Sequence, residues 1–213
     1  MSEENKRDFD AEAATWDEKP ERVRLAAQVT TAIASSIPIS KEMKALDYGC
    51  GSGLVTLGLL PLLGQITGAD SSKGMLDVLA RKALDRGLNN VSVLHIQSGE
   101  ALDGLEGNFD LIVSSMTMHH IEDVPSLIGN LVRLLSHGGW LALADLEAED
   151  GSFHSDPTGV FHHGFERDFL REALQTNGLK FVDVVAAATI EKPQTNGAIR
   201  SYPVVLALGK KDS

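Results

Sequence analysis

The sequence predicts one α/β domain, in which a mostly parallel, seven-stranded sheet is doubly wound with helices on both faces and has an antiparallel last strand. Short apolar runs alternate with helix-like patterns from about residue 44 onward, which is typical of parallel βαβ units. No helical pattern separates the last two runs, so a hairpin connection would reverse the final strand. The length of 213 residues suits one domain with a small appendage.

Each predicted strand is a short apolar run that ends in a polar or glycine-rich segment. The seven runs are 43–48, 65–70, 91–97, 109–115, 140–146, 180–190 and 203–211. Apolar residues at helical spacing predict helices after the glycine-rich segment, over 71–85, from 124 to 135 and over 166–176. Ser72 is the candidate N-cap of the 71–85 helix, and the Asn177–Gly178 pair would end the last helix. About 40 residues ahead of the sheet also have a helical pattern.

Composition and charge restrict the function classes. The chain carries 30 acidic and 19 basic side chains, and its net charge of −11 argues against a protein that binds nucleic-acid phosphates. The single cysteine, Cys50, excludes an intramolecular disulfide and a thiolate-rich metal site. The charged N-terminus lacks the apolar core of a secretory signal, and no apolar stretch is long enough to span a bilayer. We therefore expect a cytoplasmic protein with no nucleic-acid partner and no integral membrane segment.

A glycine-rich segment, Asp47 to Gly53, follows the first predicted strand. Glycines there allow a tight turn and a close approach of a ligand to the backbone. The segment is no phosphate-binding P-loop, because no Lys-Ser/Thr pair follows it, and Leu54 replaces the third glycine of the dinucleotide fingerprint. Asp70 ends the next strand, where a carboxylate can accept hydrogen bonds from both ribose hydroxyls. The alternative for Asp70 is a structural role beside the helix N-cap.

Residues 45–53, ALDYGCGSG, resemble the E/D-x-G-x-G-x-G signature of class I S-adenosylmethionine-dependent methyltransferases. Four further pieces follow in that family's order: GAD at 68–70, SGEAL at 98–102, FDLIVSSMTMHHIED at 109–123 and LLSHGGWLALAD at 134–145. The resemblance covers about residues 9–211 and is nearest to the small-molecule branch that includes ubiquinone and menaquinone biosynthesis methyltransferases. His137 replaces the usual proline before Gly-Gly, and Glu100 replaces the commoner aspartate, which keeps the charge on a longer side chain.

The resemblance implies a Rossmann-like fold that binds S-adenosylmethionine and releases S-adenosylhomocysteine. The cofactor-binding residues it implies are Trp16, Asp47, Gly49, Gly51, Gly53, Asp70, Ser71, Met75, Glu100, Ala101, Ser115 and Met116. In that arrangement the acidic Asp70 holds the ribose diol, and Glu100 and Ala101 lie at the adenine edge. The first 40 residues would cover the cofactor site of a methyltransferase domain at 41–213. Met75 and Trp16 have an alternative as ordinary packing residues.

Four histidines are candidate catalytic residues: His119, His120, His154 and His162. The first two follow the fourth predicted strand, near the place to which the resemblance implies that the methyl group points. The other two lie in the polar segment 147–164, which we predict to be a lid that faces the substrate and is more mobile than the sheet when the ligands are absent. Neutral imidazole accepts a proton from an alcohol or phenol, which predicts a rate that rises with pH near a pKa of about 6.5. The alternative for His120 is packing.

His154, His162 and His163 share the segment 147–164 with several carboxylates, which leaves a metal site open as an alternative. Their spacing matches no compact metal-ligand motif, so we expect no metal. The expected function is methyl transfer from S-adenosylmethionine to a small-molecule acceptor. Two alternatives stay open. An NAD(P)-dependent oxidoreductase is disfavoured by the glycine spacing, and a non-catalytic S-adenosylmethionine-binding protein is disfavoured by the intact glycine segment and Asp70. No motif names the acceptor, the methylated atom or the oligomeric state.

Overall fold

A central sheet organises the computed structural model, which describes residues 7–97, 102, 107–193 and 197–212. Its strands are β1 (Lys44–Tyr48), β2 (Gln65–Asp70), β3 (Val91–His95), β4 (Phe109–Ser115), β5 (Leu135–Leu146), β6 (Lys180–Pro193) and β7 (Ile199–Lys210). They lie in the order β3-β2-β1-β4-β5-β7-β6. The pairs among β1 to β5 are parallel, and β7 pairs antiparallel with both β5 and β6. The predicted seven-stranded sheet with an antiparallel last strand is confirmed.

Helices cover both faces of this sheet. The α-helices of the described residues are α1 (Phe9–Glu12), α2 (Pro20–Ser36), α3 (Leu54–Leu59), α4 (Lys73–Asp85), α5 (Val124–Leu134) and α6 (Arg167–Thr176). Short 3₁₀ segments lie at Ala13–Glu18, Leu60–Leu62 and Met118–His120. The side chain of Ser72 accepts a hydrogen bond from the Met75 N–H, so the predicted N-cap of α4 is confirmed. None of the helices in the described ranges combines the length and apolarity needed to cross a bilayer.

The core lies on both faces of the sheet, because successive side chains of a strand point to opposite faces. Leu46 and Ile112 belong to the cluster that packs under α5 and α6. Their neighbours Ala45 and Leu111 belong to the opposite cluster, which includes α2 and α3. Full burial of a Leu or Ile side chain contributes about 1.5–3 kcal/mol, so this two-sided burial fixes the strands relative to each other and to the helices.

The structure corrects the end of the helix that was predicted from 124 to 135. That helix, α5, ends at Leu134, and Leu135 begins β5 opposite Phe109. The predicted strand began only at residue 140. Leu135 is buried where α5 meets β5. An apolar residue is equally consistent with the end of a buried helix and the start of a buried strand, so the sequence could not distinguish the two. A register shift opposite Phe109 and Leu111 accommodates the extra strand residues before Trp140.

The last two strands are also longer than predicted. β6 continues to Pro193 and β7 begins at Ile199, so most of the turn-rich connection expected between residues 190 and 203 is paired strand. Proline is tolerated here because β6 is the edge strand of the sheet. At the opposite edge, β3 ends at His95, two residues before the predicted end.

Candidate active site

A cavity of about 760 Å³ opens at the carboxyl ends of β1, β2 and β4. Its walls come from the glycine-rich segment, the N-terminal segment and the residues that follow β4. The segment 147–164 contributes further wall residues, including Phe153 and His154, and β6 contributes Ile190 and Lys192. The volume lies within the range of about 300–1,000 Å³ that is usual for small-molecule sites. Ligands of doubly wound sheets bind at this edge.

The glycines of the segment have different tasks, although all have left-handed φ angles. Gly49, Gly51 and Gly53 have φ values of 71°, 52° and 82°. A Cβ on Gly49 would clash with the Thr117 side chain, and one on Gly53 would clash with Leu79 of α4. A Cβ on Gly51 would meet nothing within 4 Å among the described atoms, and Gly51 lines the cavity. Gly51 is therefore the glycine whose missing side chain leaves room for a ligand.

Gly53 does not take the cofactor-facing position that was expected for it. It is absent from the cavity wall and forms the N-cap of α3 in a left-handed conformation. Leu79 packs where its side chain would lie. The absence of a side chain at Gly53 therefore lets α3 and α4 approach each other. The sequence signature alone cannot distinguish this packing role from contact with a ligand.

Asp70 joins the glycine segment to the start of α4. Its Oδ2 accepts from the Gly51 N–H at 2.7 Å, and its Oδ1 accepts from the Ser72 N–H at 2.8 Å. Burial raises the pKa of this carboxyl group. A carboxylate has about four lone-pair sites, so capacity remains for further donors on the cavity side, which Asp70 lines. The structural and ligand-binding interpretations of Asp70 are therefore compatible.

Asp47 is buried under the same segment. Its Oδ2 accepts a hydrogen bond of 2.6 Å from the Thr56 hydroxyl of α3. Burial, which disfavours the charged form, raises the pKa of Asp47 to about 7 from 3.8. Asp47 also lines the cavity. A cationic ligand group close to it would favour the ionised carboxylate.

We expect Asp47 to make the ligand-free protein less stable as the pH rises from about 4 to 7. The folded state holds the proton in this window while the unfolded state has already lost it, so deprotonation costs folding free energy. The cost is at most about 1.4 kcal/mol per pH unit. Asp47→Asn removes the ionisable group, so its unfolding free energy should fall less between pH 5 and 7. Urea unfolding at three pH values tests this, and equal pH slopes for both proteins would contradict it.

The N-terminal segment, residues 7–36, is attached to the cavity side of the domain at two places. Asp10 accepts from the Ser72 hydroxyl at 2.5 Å and from the Gly74 N–H at 2.8 Å, at the start of α4. Asp17 accepts from the Ser52 hydroxyl at 2.6 Å and forms an ion pair with Lys82. These contacts hold the segment against the glycine loop.

Trp16 lies in the wall of the cavity. The guanidinium of Arg22 lies 3.4 Å from its ring centroid, and Phe9 contacts its edge with centroids 5.9 Å apart. Arg22 and Arg7 both form ion pairs with Glu12, which orders this part of the wall. Trp16 therefore packs within the segment and also faces the cavity.

Two histidines follow β4, and His119 is the more deeply buried of them. It is buried, and its Nδ1 lies 2.7 Å from Oδ1 of Asp145, which is also buried at the end of β5. Asp145 accepts from the backbone N–H groups of His119 and Leu146 as well. Because the carboxylate accepts, Nδ1 of His119 is the donor in this contact, and in the uncharged imidazole Nε2 carries the lone pair. His119 lines the cavity.

His120 and His154 lie beside His119. The ring centroid of His119 is 4.2 Å from that of His120 and 4.9 Å from that of His154. The Nδ1 of His120 lies 2.7 Å from the carbonyl oxygen of Gly159, which can only accept. Burial lowers the pKa of His120 to about 4 and that of His154 to about 3, so both rings are uncharged at neutral pH. A rate transition near pH 6.5 is therefore not expected from either ring.

The structure does not bring His162 to the cavity. Its Nε2 lies 3.0 Å from the carbonyl oxygen of Ile121 and 3.3 Å from that of Glu122. It is absent from the cavity wall, and it ties the segment 147–164 to the residues after β4. The sequence placed His162 in the correct loop but could not show which way its ring points.

Most of the remaining implied residues reach the cavity. Gly49, Ser71, Met75, Ser115 and Met116 all line it. Glu100 and Ala101 lie outside the described residues. The sequence reasoning missed a set of cavity residues, namely Arg7, Phe9, Thr117, Phe153 and Lys192. All of them except Thr117 lie outside the motif pieces quoted above. The position of Asp145 could have marked it as a site residue, because it is an acidic residue near the end of the predicted strand 140–146.

Comparisons with known proteins identify relatives of this chain. Residues 46–141 match the family model described as a methyltransferase domain. An uncharacterized methyltransferase of Schizosaccharomyces pombe is 34% identical over 169 residues, which is 72% of this chain and 57% of that protein. A ubiquinone biosynthesis O-methyltransferase of Albidiferax ferrireducens is 31% identical over 111 residues, 52% of this chain and 44% of that protein. The chain spans about half the length of these relatives.

Solved structures show the same fold. Phosphoethanolamine N-methyltransferase 2 of Haemonchus contortus, in complex with S-adenosyl-L-methionine, superimposes with a TM-score of 0.68 at 17% identity. The match covers 86% of this chain and 52% of that one. The expected Rossmann-like architecture is confirmed.

Proposed function

Since the chain belongs to the class I S-adenosylmethionine-dependent methyltransferases, we propose that it transfers a methyl group from S-adenosylmethionine to a small-molecule acceptor. The setting of Gly51 carries this proposal. Its missing side chain leaves space at the cavity wall, and its N–H is held by Asp70, which has acceptor capacity left for ribose hydroxyls. The cofactor, when bound, supplies a methyl group already activated on a sulfonium.

Cofactor binding would use the wall formed by β1, β2 and β4. Asp70 and Ser71 would hold the ribose, and Met75 would lie under the adenine. The glycine segment with Asp47, and Ser115 with Met116 after β4, would hold the methionine part. Met116 has a left-handed φ of 57°, which is unusual for a non-glycine residue and is a feature of constrained ligand sites. Glu100 and Ala101 stay predicted contacts of the adenine edge.

The protein would align the acceptor with the methyl group and exclude water from the cavity. Holding a nucleophile in line with a reactive carbon supplies up to about 7–11 kcal/mol in ideal cases. Phe9 and Trp16 of the N-terminal segment, with Phe153 and His154 of the segment 147–164, enclose the far side of the cavity. We infer that both segments act as covers over bound ligands. The lone pair of His119 is available to take a proton from an acceptor hydroxyl.

Two observations support a small acceptor. The cavity has to hold the cofactor as well as the acceptor, and its volume is typical of a site for small molecules. One relative is named for O-methylation in ubiquinone biosynthesis. An acceptor with an ionisable hydroxyl or thiol suits a wall of uncharged imidazoles.

Binding and activity assays separate the three candidate functions. Calorimetry with S-adenosylmethionine, S-adenosylhomocysteine and NAD should show binding of the first two only, whereas NAD binding would favour an oxidoreductase. Transfer of a labelled methyl group to a panel of phenols, alcohols, thiols and amines should reveal at least one acceptor class. Cofactor binding without transfer to any of them would favour a non-catalytic protein.

We expect Asp70→Ala to weaken S-adenosylmethionine binding by roughly 10- to 100-fold, because hydrogen bonds to a charged group contribute about 1.5–3 kcal/mol. Calorimetry measures the affinity, and thermal unfolding reports the stability. Asp77→Ala, which removes an exposed carboxylate from α4, is the matched control and should leave the affinity unchanged. An Asp70→Ala protein that melts lower but binds as the parent does would make Asp70 purely structural.

A further inference from the structure

Three histidines from two separate parts of the chain converge on the acceptor side of the cavity. His119 and His120 follow β4, and His154 comes from the segment 147–164. One ring nitrogen from each lies within 4.8 Å of the other two. The sequence could not predict this group, because 34 residues separate His154 from His120.

Two of the rings are already oriented as metal ligands are. A histidine that binds a metal almost always donates its other N–H group to a carboxylate or a backbone carbonyl. His119 donates in this way to Asp145 at 2.7 Å, and His120 donates to the carbonyl of Gly159 at 2.7 Å. Both rings therefore keep Nε2 as the nitrogen with a free lone pair.

The third ring has an unsatisfied polar atom. The Nδ1 of His154 is buried and has no hydrogen-bond partner among the residues that the structure describes. Leaving a buried polar atom without a partner is unfavourable, and native structures rarely do so without a reason such as an ion. A ligand bound at the cluster would supply the missing partner.

We propose that His119, His120 and His154 bind one divalent transition-metal ion, with Zn²⁺ as the best match, and leave a fourth coordination position open to the cavity. Three protein ligands and one open position are the arrangement of catalytic zinc sites. Nitrogens that share a tetrahedral ion lie about 3.4 Å apart, and one ring nitrogen of each histidine already lies within 4.8 Å of the other two, so small movements of the rings would complete the site. His154 belongs to a loop, which favours such movement.

The open position would take the oxygen or sulfur of the acceptor, a consequence that rests on the proposed function. With the metal bound, Nε2 of His119 is a ligand and no longer the base that takes the acceptor proton. A bound divalent ion lowers the pKa of such a group, so the acceptor releases its proton to water and stays as the anion. The anion attacks the methyl carbon, a new O–C or S–C bond forms, and the electron pair of the broken sulfonium bond stays on sulfur. The acceptors would then be alcohols, phenols or thiols.

Metal binding can be measured without any acceptor. The untagged protein is dialysed against a chelator, then titrated with Zn²⁺ by calorimetry and with Co²⁺ by visible absorption. We expect one ion per chain and the intense visible bands of four-coordinate cobalt. His120→Gln and His154→Gln should each weaken binding at least 10-fold. Asp145→Asn, which disturbs the orientation of His119, should weaken it by about 10- to 100-fold.

His163→Gln is the matched control, since it removes an imidazole from the same loop that does not line the cavity. It should bind both ions as the parent does, and circular dichroism checks that each variant folds. No binding by the parent, or equal binding by the parent and the His120→Gln/His154→Gln double variant, would overturn the metal site. If chelated protein binds S-adenosylmethionine and methylates at the parent rate, only the metal inference fails. If Zn²⁺ binds but the cofactor does not, the proposed function fails instead.

Discussion

Gly51→Val is expected to abolish S-adenosylmethionine binding in a protein that still folds. The new Cβ would project into the space that Gly51 leaves at the cavity wall, and the two γ-methyl groups would fill it further. The φ of 52° also makes a β-branched residue unfavourable there, which costs about 1–3 kcal/mol of stability. Calorimetry measures the affinity, and thermal unfolding measures the stability loss.

Gly87→Val separates the two effects. Gly87 has a similar φ of 65°, its Cβ would also meet nothing within 4 Å among the described atoms, and it does not line the cavity. The control should therefore lose a similar amount of stability and keep full affinity. If Gly51→Val binds the cofactor as tightly as Gly87→Val does, the binding site has been placed wrongly.

His119→Gln should lower the methyl-transfer rate by roughly 10²–10⁴ while leaving S-adenosylmethionine affinity within a few-fold. His119 lines the cavity, and removing a positioned proton acceptor costs rate in this range. His119→Asn is the second variant, because its side-chain amide can still donate to Asp145 while Nε2 is lost. Single-turnover rates with any acceptor of the parent measure the effect.

Loss of rate in both variants, with His163→Gln as active as the parent, would assign the effect to Nε2. A fully active His119→Asn variant would show instead that His119 serves only the hydrogen bond with Asp145. The buried pair would then be a structural feature of the end of β5.

The sequence predicted cavity residues that each lie within a single strand-to-helix connection. Gly51 and Asp70 could be found because backbone conformation and the strand order bring neighbouring motifs to one edge of the sheet. The role of Gly53 could not be found, because it depends on Leu79 of a different helix. Local pattern identifies the residue type, whereas packing decides which neighbour the residue faces.

The acceptor side was harder to predict for the same reason. The pairing of His119 with Asp145 joins the ends of β4 and β5, and the approach of His154 depends on how a long loop folds back. His162 lies in that loop with the same residue type, yet it faces backbone carbonyls. The spacing of these histidines in the sequence does not show which of them line the cavity, because that depends on tertiary contacts alone.

The attachments of the N-terminal segment bear on how ligands enter and leave. Asp10 binds the first turn of α4 and Asp17 binds Ser52 of the glycine loop, so the segment is held by the elements that would grip the cofactor. Exchange of the spent cofactor would then require these contacts to open first. The release rate would follow the opening of this segment rather than the strength of the cofactor contacts. Because Asp17 also pairs with Lys82, added salt should speed exchange more than it weakens equilibrium binding.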